Sequence, residues 1–375
     1  MGVGMKVLFL IHDLGQGGAE KVLVNLVNNM DHTRFDVTVT ALFGGGVNEQ
    51  FLSPKVKYKT VFPRMIPGNS KWMKLFTSEQ LHRLCVKEEY DVEISYLEGP
   101  SARVISGCRN SRTKLVSWIH VEQHNSKKLS AAFRNQEEAI QCYNRFHQTV
   151  CVSEFVKRDF TEILNYKKPI QVLYNTVESD KIKFGAMEPI DDMCDDGAIK
   201  LVAVGSLKES KGFGRLLRIV KKLKIDFSIR LYILGIGPLR QELEEYVVAN
   251  HLQNEVVFLG YQTNPYKYVS KCDLFVCSSF AEGFSTAVTE SLIVGTPVCT
   301  VEVSGMKELL GNNNEYGVVT ENTEEALYDG IKSLLSNPER LEYYRAKAKI
   351  RGTAFNARTT VLAVEDMLDA LMVLD

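Results

Sequence analysis

The sequence lacks an excess of charge of either sign. Its 375 residues include 45 lysines and arginines and 46 aspartates and glutamates, for a formal net charge of -1. Binding to nucleic acid depends largely on basic side chains that neutralise phosphates. The near balance of charge therefore argues against a general nucleic-acid binder, and we expect no nucleic-acid partner.

Long apolar runs and paired cysteines are also missing. The longest apolar runs, such as residues 6–11 and 274–277, are strand-sized and far shorter than the roughly 20 residues of a spanning helix. The first residues do not resemble a secretory signal. The eight cysteines are scattered without C-x-x-C spacing, and several lie in apolar runs, which predicts buried, reduced thiols. We therefore expect a cytoplasmic protein.

What the sequence does contain is an alternation of strand-like and helical patterns through both halves. A chain of this length favours two domains. Alternating strands and helices favour parallel sheets covered by helices on both faces. The predicted strands are residues 6–12, 35–42, 92–96, 114–119, 148–152, 200–204, 230–234, 256–259, 274–277 and 297–301. We predict an α/β protein of two Rossmann-like, doubly wound domains.

The two predicted domains need a joint. An acidic tract after Pro189 interrupts the periodic pattern, which is typical of a solvated linker. We place an N-terminal acceptor-binding domain at residues 1–180, a linker at 181–197 and a C-terminal donor domain at 198–375, and expect the last helix to cross back to the N-terminal domain. Ligands of doubly wound sheets bind beyond the carboxyl ends of the strands. Two such sheets facing each other would form a deep cleft.

The first candidate motif is a glycine loop, Gly15 to Glu20, between the first strand and the first helix. Gly17 and Gly18 would let the backbone approach a ligand, and the helix start offers N–H groups to an anion. The loop only loosely matches the dinucleotide fingerprint G-x-G-x-x-G. A tight structural turn and an anion-binding loop therefore remain equal alternatives.

Two motifs in the second half point to a phosphate. The loop from Gly205 to Gly212 carries Lys208 and Lys211, which either face a diphosphate or are simply solvated. The second motif, EGFSTAVTE at residues 282–290, leads into a helix whose N-cap is Ser285 or Thr286. The helix start would attract a phosphate, while Glu282 and Glu290 would bind hydroxyl groups on either side of it.

His120 ends the apolar strand at residues 114–119. It is either a core histidine bonded to backbone or a side chain directed at a ligand. Glu122 and His124 lie close in sequence, but a third metal ligand is not evident, so we predict no metal site there.

These motifs resemble the large retaining glycosyltransferase family four, which has GT-B architecture. The resemblance covers almost the whole chain and looks most like bacterial capsular and exopolysaccharide transferases. It rests on motifs spread along the sequence: GQGGAEKVLVNLV near the start, His120, YNTVES at 174–179, KESKGF, EGFSTAVTES and GTPV at 295–298.

The resemblance implies roles for individual residues. Lys211 would contact the donor diphosphate, Glu282 the transferred sugar and Glu290 the ribose, and His120 would contact the sugar from the other domain. The backbone around Phe284, Ser285 and Thr286 would complete the phosphate cradle, with Gly17, Gly18 and Gly205 also near the donor. Glu282, Lys211 and His120 are the implied catalytic residues.

This sequence departs from the family at Ser206, where an arginine is usual; either Lys208 substitutes for it or donor binding is weaker. A second departure is Thr176, where glycine is common. The implied reaction retains anomeric configuration and needs neither a metal nor a cofactor, with a UDP- or GDP-sugar as donor. Closure of the domains would exclude water.

The resemblance implies that a hexose or N-acetylhexosamine is moved to a sugar hydroxyl of a glycan or lipid-linked acceptor. Residues 64–76 mix basic and apolar side chains, which indicates either a peripheral contact at the inner face of the membrane or a partly buried helix with solvated lysines. Alternatives are a catalytically silent nucleotide-sugar-binding subunit, a GT-B epimerase or phosphorylase and, more distantly, a nicotinamide dehydrogenase. Sugar, base, acceptor, linkage and oligomeric state stay open.

Overall fold

The computed structural model of the protein describes residues 4–194 and 196–373. The described chain divides into two compact units. The first unit comprises the residues up to Thr176 together with those from Ala357 onward, and the second is Val177–Asn356. Both are α/β, as the alternating pattern predicts.

The first unit is built on a seven-stranded parallel sheet of order β3-β2-β1-β4-β5-β6-β7. Its strands are β1 (Met5–Ile11), β2 (Phe35–Phe43), β3 (Lys57–Phe62), β4 (Val92–Ser95), β5 (Lys114–Ile119), β6 (Gln148–Cys151) and β7 (Ile170–Val172). The helices between them are α1 (Gly18–Asn29), α2 (Asn69–Trp72), α3 (Ser78–Cys85), α4 (Pro100–Ile105), α5 (Ser126–Leu129), α6 (Gln136–Tyr143) and α7 (Glu154–Leu164). The interior strands are near-continuous apolar runs because helices cover both faces.

The second unit has a six-stranded parallel sheet of order β10-β9-β8-β11-β12-β13. Its strands are β8 (Ile199–Val204), β9 (Ile229–Leu234), β10 (Val256–Gly260), β11 (Leu274–Cys277), β12 (Val298–Val301) and β13 (Val318–Thr320). Its helices are α8 (Ser179–Ala186), α9 (Phe213–Leu223), α10 (Arg240–Ala249), α11 (Tyr266–Ser270), α12 (Thr286–Val294), α13 (Met306–Leu310), α14 (Glu324–Leu335) and α15 (Pro338–Gly352). The apolar stripe of α9 packs into a core shared with β8, β9, β11 and α14.

The last helix, α16 (Ala357–Val373), packs against α1 and so belongs to the first unit. The chain therefore leaves the first unit once, near Thr176, and returns to it at Ala357.

Residues 181–197, predicted as a solvated linker, belong to the second unit. They begin inside α8, where Ile182 packs against Tyr266 and Ile293. In the acidic tract, Asp192 accepts a hydrogen bond of 2.9 Å from the Tyr268 hydroxyl. The described acids of the tract are exposed, as the composition predicts, but Asp192 and Asp196 bond to Tyr268 and Arg230 of the second unit, which the composition does not reveal. Asp195 lies outside the described residues.

All eight cysteines are free thiols, and seven of them are buried; Cys194 is exposed. Within the described ranges, no helix combines the length and the apolar character needed to cross a membrane.

Candidate active site

An ion pair joins two strand-end loops of the second unit. The Lys211 Nζ atom lies 2.6 Å from Glu282 Oε1, and the Ser279 hydroxyl donates to the same oxygen, also at 2.6 Å. Burial tends to lower the pKa of Lys211, but the Glu282 carboxylate more than offsets this and raises it. Lys211 is therefore a fixed positive charge, beside an acid, at the carboxyl ends of β8 and β11.

The turn after β8 positions Lys211. Residues Glu209–Lys211 form one 3-10 turn, and Gly212 then adopts a left-handed conformation with φ of 64° before α9 begins. A Cβ atom at Gly212 would overlap the carbonyl oxygen of Ser278. Only glycine fits both the positive φ and this close approach, so the lysine loop and the β11 loop lie in direct backbone contact.

Further hydrogen bonds join the same two loops. The Ser278 hydroxyl donates to the Lys211 carbonyl at 3.0 Å, and the Phe280 N–H donates to the Ser210 carbonyl at 2.7 Å. The loops therefore hold Lys211 and Glu282 together through backbone as well as side-chain contacts.

Arg215 on α9 stabilises the contact between the lysine loop and the loop after β11. It is buried in α9 and donates from Nε to the Ser278 carbonyl at 2.7 Å, and from its two NH groups to the Ser279 carbonyl and Asn322, each at 2.8 Å. Its guanidinium also stacks on the Phe280 ring, 4.1 Å from the centroid. Sequence reasoning missed Arg215, because an arginine on an amphipathic helix is normally solvent-facing.

The helix after Glu282 begins as predicted. Ser285 is the N-cap of α12, its hydroxyl accepting the Val288 N–H at 3.4 Å, and Thr286 is the first helical residue. Phe284 is buried just before the cap, and Glu290 is buried within the helix. The order along the chain is therefore acid, helix start, acid, which is the arrangement the motif predicts.

Gly205 and Ser206 directly follow β8 and are partly exposed, while Lys208 is exposed. A second glycine turn lies against them: a Cβ at Gly235 would overlap the Gly205 carbonyl oxygen, and one at Gly237 would crowd Leu207. This turn, at the carboxyl end of β9, was not singled out in the sequence. The G-x-G-P string at 235–238 after a predicted strand was the available signal.

In the first unit the predicted glycine loop is more acidic than expected. Gly17 is the N-cap of α1 and Gly18 its first residue, but a Cβ at Gly17 would overlap the Glu20 carboxylate. A carboxylate beside Gly17 repels a second anion there. The structural reading of the loop gains support from this, and the role of Gly17 and Gly18 toward a donor stays a prediction.

His120 is buried directly after β5. Its backbone N–H donates to Glu98 Oε2 at 2.9 Å, and its ring packs against Tyr96 with centroids 4.7 Å apart. Burial lowers the pKa of His120 to about 3, so the ring is neutral at physiological pH. The imidazole therefore acts as a neutral hydrogen-bonding group.

Several buried polar atoms around His120 have no hydrogen-bond partner in the part of the chain that the structure describes. They are His120 Nε2, the Tyr96 hydroxyl and Trp118 Nε1. Buried polar atoms are normally paired, so such a group is typical of a place that meets a ligand or ordered water. The sequence analysis identified His120 but not its aromatic neighbours Tyr96 and Trp118, because residues in apolar strand-like runs are normally core residues.

The loop after His120 carries a buried acid. Burial, followed by the nearby Asp159 carboxylate, raises the pKa of Glu122 to about 7. Asp159 accepts the backbone N–H groups of Gln123 and His124, and Lys128 donates to the Glu122 carbonyl at 2.6 Å. The His124 Nε2 atom lies 4.0 Å from Glu122 Oε2, so these two side chains form at most a loose pair.

Residues 64–76 are partly folded into the first unit. Arg103, fully buried, donates to the Met73 and Phe76 carbonyls at 2.7 Å each, and Met73 itself is buried. Leu75 nevertheless remains 78% exposed. The segment thus combines the partly buried helix with an exposed apolar side chain.

Comparisons with known families match both halves of the chain. The profile described as Glycosyltransferase Family 4 matches residues 16–181, and the one described as Glycosyl transferases group 1 matches residues 194–351. Together with the two parallel-sheet units, these matches define the class. The chain belongs to the family-four glycosyltransferases of GT-B type.

Curated relatives cover nearly the full length. The chain is 27% identical over 365 residues to an enzyme of Campylobacter jejuni, covering 94% of this chain and 96% of the relative. That enzyme is named N-acetylgalactosamine-N,N'-diacetylbacillosaminyl-diphospho-undecaprenol 4-alpha-N-acetylgalactosaminyltransferase. The lipopolysaccharide core biosynthesis glycosyltransferase LpsD of Rhizobium meliloti is 24% identical over 368 residues, with 97% and 98% covered. The chain is thus similar to bacterial glycosyltransferases, one named for a diphospho-undecaprenol-linked acceptor and one for lipopolysaccharide core biosynthesis.

Solved structures share the fold. HepE of Anabaena in complex with UDP and glucose has a TM-score of 0.79 at 18% identity, covering 97% of this chain and 99% of that one. Sucrose-phosphate synthase of Thermosynechococcus elongatus has a TM-score of 0.81 at 16% identity, covering 99% and 100%. At such identities these similarities establish the GT-B fold alone.

Proposed function

We propose that this glycosyltransferase moves a hexose or N-acetylhexosamine from a UDP-sugar, or else a GDP-sugar, to a hydroxyl of a lipid-linked saccharide, with retention of configuration. The observation that carries the proposal is the Lys211–Glu282 pair at the junction of the β8 and β11 loops. A fixed ammonium group there is suited to stabilising the negative charge that develops on a departing diphosphate.

The geometry of the pair suggests that the two oxygens of Glu282 have different partners. Both bonds to Glu282 fall on Oε1, one from Lys211 and one from Ser279. Oε2 would then accept a hydroxyl of the transferred sugar. Glu290, five residues into α12, would accept the ribose hydroxyls, with the capped start of α12 facing the phosphates between.

The reaction balances without a further reactant. A bond forms between the acceptor oxygen and the anomeric carbon, on the face from which the bond between that carbon and the diphosphate oxygen breaks. The acceptor proton passes to the departing diphosphate. Lys211, and Lys208 in place of the arginine usual at Ser206, would balance the diphosphate charge.

The donor and acceptor classes are supported by relatives. HepE binds UDP and glucose, and the Campylobacter relative is named for a diphospho-undecaprenol acceptor. Both fit a bacterial surface-glycan transferase with a uridine donor and a polyprenyl-linked acceptor. A role for His120 toward the sugar stays a prediction from the family resemblance; its Nε2 atom has no hydrogen-bond partner among the described residues.

The decisive experiment measures UDP or GDP release from a panel of nucleotide sugars, with a polyprenyl-diphosphate-linked saccharide as acceptor. We expect Lys211→Ala to lower the rate by about 10²–10³-fold, and Glu282→Gln to lower it to a similar degree. Lys222→Ala is the matched control, because Lys222 is an exposed lysine on the helix that follows the loop. Circular dichroism checks that each variant is folded.

Two outcomes would count against the proposal. Unchanged rates in folded Lys211→Ala and Glu282→Gln would remove the pair from the chemistry. Binding of the nucleotide sugar without release of UDP or GDP, whichever acceptor is present, would instead favour a silent nucleotide-sugar-binding subunit. Ser206, at the position where the family usually has arginine, supports that alternative. The anomeric configuration of the product, read from the proton coupling constant by NMR, tests retention separately.

Peripheral membrane contact stays a prediction. Exposed Leu75 and the neighbouring Lys74 are compatible with it. Co-sedimentation with anionic vesicles, compared between wild type and Leu75→Ser, tests it; equal sedimentation of both would exclude this segment as the contact.

A further inference from the structure

Three metal-ligating side chains meet inside the first unit, on elements that carry none of the residues proposed for sugar transfer. His82 lies on α3, Glu93 on β4, and Cys108 in the segment after α4. His82 Nε2 lies 2.7 Å from Glu93 Oε2, and Cys108 Sγ lies 3.7 Å from Glu93 Oε1. One ligand atom from each of the three falls within 4.8 Å of the others.

Glu93 lies where a carboxylate needs a partner, and His82 is that partner in this structure, at 2.7 Å. Glu93 is 2% exposed on an interior strand, and its neighbours in register are Leu8 on β1 and Leu115 on β5. A buried carboxylate is strongly unfavourable unless it is paired or coordinates a metal. Glu93 is also three residues before Tyr96, which at about 3.3 Å per residue separates it by about 10 Å from the His120 cluster.

We propose that His82, Glu93 and Cys108 bind one divalent transition-metal ion of the zinc type. Imidazole nitrogen, carboxylate oxygen and thiolate sulfur are the ligand atoms that zinc takes in proteins. The thiolate and imidazole disfavour magnesium and calcium, which prefer oxygen ligands. A divalent ion with one thiolate, one carboxylate and a neutral imidazole has no net charge, as a buried site requires.

The distances need only a small rearrangement. Tetrahedral ligands at zinc bond lengths of about 2.0–2.3 Å lie about 3.3–3.7 Å apart. The 3.7 Å between Cys108 Sγ and Glu93 Oε1 already fits. The 2.7 Å between His82 Nε2 and Glu93 Oε2 is a hydrogen bond, and it would lengthen or give way to Oε1 when the shared proton leaves. Binding forms three metal–ligand bonds and releases two protons, the thiol proton and the one shared by His82 and Glu93.

The site would be open on one side. Three protein ligands leave a fourth position for water in a tetrahedral site. The His82 side chain is 14% exposed, whereas Glu93 and Cys108 are buried. The ion would thus enter past His82 and tie α3 to the sheet and to the segment after α4, which stabilises the first unit independently of sugar transfer.

Metal binding is tested on the full chain, reduced and stripped with a chelator. We expect one equivalent of Zn²⁺ to bind in competition with a chromogenic zinc chelator, and excess Mg²⁺ not to displace it. Co²⁺ should produce a thiolate-to-cobalt charge-transfer band. Cys108→Ser should abolish that band and weaken zinc binding at least tenfold, while Cys85→Ser, a buried thiol on α3 outside the cluster, should leave both unchanged.

Several results would overturn the proposal. They are a folded wild-type chain that takes up no stoichiometric zinc, cobalt binding without a thiolate band, or equal affinity in wild type and Cys108→Ser. If Cys108→Ser does not fold, the first two measurements still decide the matter on the wild-type protein. Because none of these readouts involves sugar transfer, failure here is distinct from failure of the proposed reaction.

Discussion

His120 occupies an environment that favours the neutral imidazole. The ring is 5% exposed and packs against Tyr96, while its Nε2 atom has no partner among the described residues. A neutral ring can donate or accept a hydrogen bond without adding a charge. Because the ring is buried in its neutral form, the free energy of unfolding should depend on pH in the range where an exposed histidine takes up a proton.

Replacing His120 should alter the acid stability of the protein. Burial lowers the pKa of His120 to about 3 from the ordinary 6.5, so below pH 6.5 the unfolded chain binds a proton that the folded chain does not. The stability associated with the neutral ring is therefore fully present above pH 6.5. It is lost as pH falls toward 3, by about 1.4 kcal/mol per pH unit. His120→Phe should remove this contribution.

The measurement is urea unfolding between pH 7 and 5. Burial raises the pKa of Glu98, which gives a dependence of opposite sign, but that carboxyl is present in both proteins and does not affect their difference. His251→Asn is the control, because His251 is exposed. An unchanged pH slope in His120→Phe would mean that the ring is not buried as described.

At the scale of elements, Arg215 on α9 holds the loop after β11 in place through hydrogen bonds. Its guanidinium donates to the Ser278 and Ser279 carbonyls, and Ser279 in turn donates to Glu282. The position of the acid thus depends on a side chain that touches neither the acid nor a proposed ligand. Arg215 is in this sense a positioning residue.

Arg215→Met should therefore reduce both stability and donor affinity. The substitution keeps much of the packing but leaves two buried carbonyls without donors, at about 1–3 kcal/mol each. We expect the free energy of unfolding to fall by at least about 2 kcal/mol and the Kd for UDP to rise. Arg218→Met on the same helix removes an exposed pair with Glu324 and should change stability by less than about 1 kcal/mol.

Chemical denaturation and calorimetric titration with UDP give the two quantities. Equal values for Arg215→Met and Arg218→Met would show that the carbonyl contacts do not hold the loop.

The elements differ in how far the sequence predicts them. Interior strands such as β5 and β11 were predicted to the residue, because apolar runs bounded by polar residues are what a doubly covered parallel strand requires. The missed strands β3, β7 and β13 all lie at sheet edges. In β3, lysines 57 and 59 are exposed, so the apolar pattern on which the prediction depends is absent.

In the candidate site, too, the features set by local sequence are predicted and the contacts between distant residues are not. The start of α12 is a local feature: the sequence predicts a cap at Ser285 or Thr286, between Glu282 and Glu290, and the structure has it at Ser285. The bond between Lys211 and Glu282 joins residues 71 apart, and the contact of Arg215 with Ser278 joins residues 63 apart. Such pairings depend on how strands are ordered in the sheet, which local patterns do not specify. The family resemblance identified Lys211 and the two glutamates as site residues, but it did not identify Arg215.

At the scale of the whole molecule, the first unit is completed by the far end of the chain. Glu365 of α16 is buried and accepts the Asp31 backbone N–H at 2.7 Å and an Arg34 guanidinium N–H at 3.1 Å. Val361, Val364 and Leu368 of the same helix are buried as well. The first unit therefore cannot reach its native packing until residues 357–373 have been synthesised.

Removing the Glu365 carboxylate should weaken the first unit selectively. Glu365→Ala leaves the partly buried Asp31 N–H without its acceptor and deprives Arg34 of its buried partner, which should lower stability by about 2 kcal/mol. Asp369→Asn is the matched control one turn further on, since Asp369 pairs with the same arginine at the surface and such pairs contribute little. Hydrogen exchange monitored by mass spectrometry should show faster exchange in β1, β2 and α1 of Glu365→Ala, with β8, β9 and α9 unchanged. Uniform acceleration across both sheets would mean that the two units unfold as one, and no acceleration would mean that α16 is not held through Glu365.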